Sequence, residues 1–137
     1  MKVDGGCQCG ALAYEAEVNP ERVSICHCSD CQKLSGSAFV VYAVAREENF
    51  RLTAGRLEIY LKQADSGNER QLAFCPVCSA LIYSTSAGEG PRYLALRVGT
   101  IRQRAELPPK SQIWWGSALP WVKELIGRDN MPTRDAQ

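Results

Sequence analysis

Phe74-Cys75-Pro76-Val77-Cys78 carries the CxxC spacing of a metal knuckle, with an apolar residue ahead of it. Its counterpart lies near the start of the chain, in Gly6-Cys7-Gln8-Cys9-Gly10. In extended chain, residues two apart point to the same face, so Cys7 and Cys9 can reach one ion together. Gly5, Gly6 and Gly10 are expected to let the backbone turn tightly around it. Two such pairs offer four thiolates, the donor set of a closed structural zinc site. An ion held this way ties the N-terminus to the middle of the chain. Closing so long a loop stabilises mainly by restricting the unfolded state, and the metal–ligand bonds add to that.

Between these pairs lies a third cluster, Cys26-His27-Cys28-Ser29-Asp30-Cys31, which completes a set of seven cysteines beside a single histidine. A structural zinc takes four protein ligands, whereas a catalytic one usually keeps three and an open position. Seven thiols therefore suggest one closed site and one open site. Cys26, Cys28 and Cys31 can hold an ion from one loop leading into a short helix, whose N-terminus near Cys28 favours thiolate charge. A crossed arrangement, with Cys7 and Cys9 joining the middle cluster, uses the same residues and stays open. His27 is the candidate to close the second site. Lying between Cys26 and Cys28 in extended chain, it should point away from the face both cysteines use, which leaves it a packing or surface role. Asp30 is expected to cap the helix.

The 137 residues suit one domain with a buried core, and 45% hydrophobic with 23% charged residues is ordinary for a soluble globular chain. A net charge of +1 supplies no field for nucleic acid, an anionic membrane or an acidic substrate. Residues 1–6 lack the apolar run of a signal peptide, and no stretch approaches the roughly 18 apolar residues of a membrane helix. A reducing cytoplasm is the expected compartment. There, clustered cysteines serve as metal ligands or redox groups rather than disulfides, and an odd count leaves one thiol unpaired in any complete disulfide scheme.

Most segments read as strands. Ala11–Val18 alternates in part, Ala38–Val44 is a continuous apolar run, and Leu57–Leu61 and Gln71–Phe74 show period two. Ala80–Tyr83 and Tyr93–Val98 complete the set, with turns at Ser66-Gly67-Asn68 and Ala87–Pro91. Helices are expected over Cys28–Leu34, stopped by Gly36, and over Pro120–Ile126, with Gly127 beyond. The reading is a mainly β domain of short strands with one or two short helices, stapled by metal, over residues 1–127, followed by a polar tail over 128–137. Trp114, Trp115 and Trp121 are expected in the core or, second, in a pocket wall, and Ser35-Gly36-Ser37 reads as a helix stop or as part of the open site's lining. Arg97 and Arg102, which flank Gly99-Thr100 and would suit a carboxylate, are expected on the solvated surface. No glycine-rich phosphate loop, Ser–His–Asp set or paired-carboxylate signature is present.

The five motifs Gly6–Gly10, Cys26–Cys31, Leu34–Phe39, Leu52-Thr53-Ala54-Gly55 and Phe74–Cys78 occur in an order and at intervals similar to those of the glutathione-dependent formaldehyde-activating enzyme family, also called the GFA or CENP-V domain family. Arg97-Val98-Gly99-Thr100 and Ala118–Val122 are also similar to it, so the resemblance covers about residues 4 to 126. It implies a β-tent fold of antiparallel sheets around two zinc ions. It implies Cys7, Cys9, Cys75 and Cys78 as structural ligands and Cys26, Cys28 and Cys31 as the catalytic site. The activity it implies is that of a carbon–sulfur lyase, S-(hydroxymethyl)glutathione synthase, joining formaldehyde or another small aldehyde to glutathione or another small thiol. The alternative is a non-catalytic, zinc-stabilised binding module of the same fold. Two departures stand out: Ser79 follows the last CxxC where the family commonly has Gly, and Gln112 stands where a later strand often carries His. Both bear on the pocket and on glutathione itself rather than on the proposed ligands.

Overall fold

The computed structural model describes residues 1–64, 67–88, 90–126 and 133. Within them run eight strands: β1 (Lys2–Gly6), β2 (Ala13–Cys26), β3 (Val40–Ala54), β4 (Glu58–Gln63), β5 (Glu69–Phe74), β6 (Leu81–Ser86), β7 (Tyr93–Arg97) and β8 (Ser111–Ile113). Seven pair antiparallel in the order β1-β2-β3-β7-β6-β5-β4, and β8 lies parallel beside the end of β2. Two helices accompany them, α1 (Ser29–Ser35) and α2 (Pro120–Ile126). The mainly β architecture with short helices is as expected, with one sheet that is antiparallel except at β8. The tail over 128–137, the stop at Gly127, Ser66 of one expected turn and Glu89 of the other lie outside the described residues, apart from Thr133, which bridges to Gln112.

The expected strand over Ala11–Val18 is half of a strand that continues to Cys26. Asn19-Pro20 reads as a break because proline removes a ladder donor. The chain instead absorbs Pro20 in a bulge: Asn19 pairs with Val44 and Val23 with Ala43, leaving residues 20–22 with no partner on β3. Glu21 N–H is taken up by Asn19 Oδ1 at 2.9 Å. Three extra residues change the parity of the strand. Before the bulge the even residues Tyr14, Ala16 and Val18 face the core; after it the odd residue Val23 does. Ser24 and Cys26 are thereby turned to the opposite face of the sheet.

The core lies on one face, where Val23 meets Ala43, Ala45, Ile82, Leu94 and Leu96. The alternate residues of the same strands, Val40, Tyr42, Val44, Ser84, Ala95 and Arg97, line a cavity on the other. A small apolar cluster of Cys26, Val40 and Ile113 is buried there. Trp115 is in the interior and Trp114 lines the cavity, the two places expected for them, but Trp121 is exposed because α2 turns its other face, through Val122, inward.

Gly5 and Gly6 do not serve the turn near Cys7; both sit in β1, and only Gly10, at φ 84°, makes that turn. Gly5 is needed for close approach: a Cβ there would lie 2.1 Å from the Thr100 carbonyl oxygen and 2.7 Å from the Tyr14 hydroxyl. That hydroxyl is hydrogen-bonded to Thr100 Oγ1 at 2.8 Å, so neither neighbour can withdraw freely. Gly5→Ala is expected to lower the unfolding free energy by about 3 kcal/mol, measured by denaturant titration.

Candidate metal centres

Cys7 and Cys9 follow β1, and Cys75 and Cys78 form the knuckle after β5; the four sulfurs lie within 4.8 Å of one another. Cys7 and Cys9 are 3.6 Å apart and Cys9 and Cys75 3.9 Å. A tetrahedron with Zn–S bonds of about 2.3 Å has edges of about 3.8 Å, so these spacings fit zinc. Backbone N–H groups already point at the sulfurs, Leu12 at Cys7 (3.2 Å) and Val77 at Cys75 (3.4 Å). The Ala80 N–H, the largest influence on Cys78, helps bring that thiol down to about 6. The knuckle closes through Ser79 N–H to Cys75 O and Cys75 N–H to Ala80 O, both 2.9 Å. This closure puts Ser79 at φ 67°, in the left-handed region that glycine adopts without penalty.

The second centre gathers Cys26, Cys28 and Cys31. Cys26 ends β2 on the cavity face, Cys28 precedes α1, and Cys31 sits in its first turn. The helix cap is the Cys28 sulfur, which accepts the Cys31 N–H at 3.2 Å; Asp30 does not cap but pairs with Lys62 Nζ at 2.8 Å. The Cys28 and Cys31 sulfurs are hydrogen-bonded at 2.8 Å, and Cys31 donates to Cys26 at 3.4 Å. Hydrogen bonding from Cys26 and then Cys31 drives the Cys28 thiol far below its usual range, and supplying that bond drives Cys26 up. The three share protons and titrate as a unit. An all-sulfur donor set of this kind selects a thiophilic cation such as zinc, which would spread the sulfurs towards the tetrahedral edge. The thiols group four and three, not crossed, and all seven are free.

His27 points away from this centre and is fully buried, with Nε2 2.8 Å from Gln112 Oε1 and its ring edge-on to Phe39 and Trp115. Its backbone is fixed too: His27 N–H bonds to Ile113 O at 3.1 Å, and Gln32 Nε2 donates to His27 O at 2.9 Å. The position where a later His was expected thus belongs to the residue that holds His27 off the thiols. His27 Nδ1 and Gln112 Nε2 are buried without a hydrogen-bond partner among the described residues.

The three-thiol centre opens onto a cavity of about 770 Å³. Beside the sulfurs its lining includes Lys62, Arg70, Ser84, Arg97, Tyr42 and Trp114; only Arg97 and Trp114 were read from the sequence as possible site residues, each as the second choice. Arg97 is half-buried, and burial pulls its pKa down while the three thiols act in the opposite sense. Arg102 is on the surface as expected, paired with Asp4 at 2.8 Å, and holds that carboxyl at about 2. Ser35-Gly36-Ser37 is only the helix stop, with Gly36 left-handed at φ 63°. The signal for the basic residues is period two on β5 and β7, legible only once strand register aligns them. Trp114 holds φ 56°, a rare value for a bulky residue, as the chain turns from the cavity to the core at Trp115.

A model of the family described as "Glutathione-dependent formaldehyde-activating enzyme" matches residues 2–117. Among solved structures, a Rhodobacter sphaeroides protein determined as a structural-genomics target superposes with a TM-score of 0.58 at 20% identity, covering 96% of this chain and 99% of that one. At that identity the likeness bears on the fold. No curated protein matches. Because the knuckle forces Ser79 into left-handed backbone, Ser79→Gly is expected to raise stability by about 0.5–1 kcal/mol, seen as a higher denaturation midpoint at unchanged slope.

Proposed function

We propose, from the premise that the chain belongs to the glutathione-dependent formaldehyde-activating enzyme family, that it is a zinc-dependent carbon–sulfur lyase joining a small aldehyde to a thiol. In this reading Cys7, Cys9, Cys75 and Cys78 hold a structural ion, and Cys26, Cys28 and Cys31 hold the one at which chemistry occurs. The observation that carries it is the three-thiol centre, which has no fourth protein ligand among the described residues and faces a cavity large enough for a small peptide.

When bound, zinc would supply positive charge that lowers a thiol's pKa and polarises a carbonyl. The rest falls to the chain. Cys26, Cys28 and Cys31 would hold the ion at the cavity wall, and the Gln112–His27 bond keeps the imidazole turned away from these sulfurs. Val40, Ile113 and Trp114 give that approach an apolar wall. The substrate thiolate's sulfur attacks the aldehyde carbon, a C–S bond forms as the C=O π bond opens, and the proton lost by the thiol ends on the new hydroxyl. No oxidant or reductant is needed.

A purely structural role for the second centre would be favoured by a fourth ligand from His27, and the placement of that ring gives it no support. Exchange NMR of equilibrating formaldehyde and glutathione is the test. Micromolar zinc-loaded protein is expected to accelerate exchange, and Cys31→Ala to abolish the acceleration. Exchange at the uncatalysed rate with the wild-type protein contradicts the glutathione version.

A further inference from the structure

Ser84 stands at the centre of the cavity floor, where register places Leu72 on one side and Ala95 on the other. Two positions along from those neighbours, on the same face of the sheet, come Arg70 and Arg97. β5 and β7 run in the same direction, so the two side chains reach Ser84 from opposite ends. Arg70 Nη2 lies 3.4 Å from Ser84 Oγ, and Arg97 Nη1 3.5 Å from it. Among the described residues the Arg97 guanidinium makes one further hydrogen bond, from Nη1 to Ala95 O at 3.1 Å.

This arrangement has donors without acceptors. Neither guanidinium forms an ion pair among the described residues. The Ser84 hydroxyl accepts from both and donates to no described residue. Two guanidiniums around one hydroxyl repel each other, and Arg70 indeed works against the charge on Arg97. Of the carboxylates lining the cavity, Asp30 is taken by Lys62, and Glu69 is exposed. Nor does the thiol centre absorb both charges: three thiolates around a divalent ion leave one negative charge, which one arginine balances. One of these two arginine charges remains over.

We infer that Arg70, Arg97 and the Ser84 hydroxyl form an anion subsite that takes a carboxylate of the thiol substrate, so that the cavity selects anionic over uncharged thiols. The geometry suits it: a carboxylate accepts from planar guanidiniums in pairs, and inside a cavity such bonds are stronger than at the surface. The inference rests on the proposed thiol chemistry for its substrate, but its test separates the two.

Binding is measured without turnover by calorimetry with S-methylglutathione and its dimethyl ester, on wild-type protein, Arg97→Gln and Arg70→Gln. The acid is expected to bind about tenfold or more tighter than the ester, and each variant to lose most of that difference. In exchange kinetics, Arg97→Gln is expected to raise the glutathione KM about tenfold, with kcat changed less than about threefold and the 2-mercaptoethanol KM unaltered. Equal affinity for acid and ester, no heat from the acid at millimolar concentration, or an equal rise in KM for both thiols overturns the subsite. Arg70 stands on β5, which carries none of the three thiols, so its variant decides the matter should Arg97→Gln fail to fold. Discrimination in calorimetry with no catalysed exchange would leave the subsite standing and overturn the aldehyde chemistry instead.

Discussion

The bulge at residues 20–22 of β2 is the constraint on which the rest of the structure depends. A strand has a period of two, so its side chains divide between two faces and stay divided. Inserting an odd number of residues reverses the division for everything beyond it. Tyr14, Ala16 and Val18 belong to the core, and an unbroken strand would send Ser24 and Cys26 there as well. The bulge delivers Cys26 to the opposite face, where Cys28 and Cys31 meet it from the start of α1. Core and chemistry thus occupy opposite sides of one sheet.

The two sulfur centres divide the work in a related way. The four-thiol centre joins β1 to the end of β5, segments far apart in sequence, and includes Cys75 of the main core. The three-thiol centre is local, and what surrounds it is positioned by other strands: Ile113 by β8, Val40 and Tyr42 by β3, Arg97 by β7. Lys62 reaches back from edge strand β4 to Asp30, so the same helix that carries Cys31 is tied to the far end of the sheet. Charge near the thiols therefore comes from side chains brought together by long-range pairing.

That contrast explains what the sequence revealed and what it concealed. Cysteine spacing is local, and it disclosed the three thiol clusters but left open which of them combine; the short α1 helix and its Gly36 stop were equally local signals. The antiparallel strands were legible where alternation was clean, as in β4 and β5. The second half of β2 was hidden by Pro20, and the far part of β3 by the charged residues Arg46, Glu47 and Glu48, which leave no alternation to read. His27 pointing away from its neighbours follows from strand geometry, but its partner Gln112 lies 85 residues on and is matched to it only by β8 pairing with β2. Arg70 and Arg97 look like surface residues in sequence because nothing local marks a strand's cavity face. Family membership covers residues 2–117 and says nothing of which basic residues a pocket uses.

Everything chemical in this account depends on two metal centres of different coordination. Zinc content per chain, measured together with X-ray absorption at the zinc edge, tests that most directly. The account predicts two zincs per chain, averaging about three and a half sulfurs each at about 2.3 Å, with the remainder a light atom that is not imidazole. One zinc per chain, or two with an imidazole signature that His27→Ala removes, would contradict it.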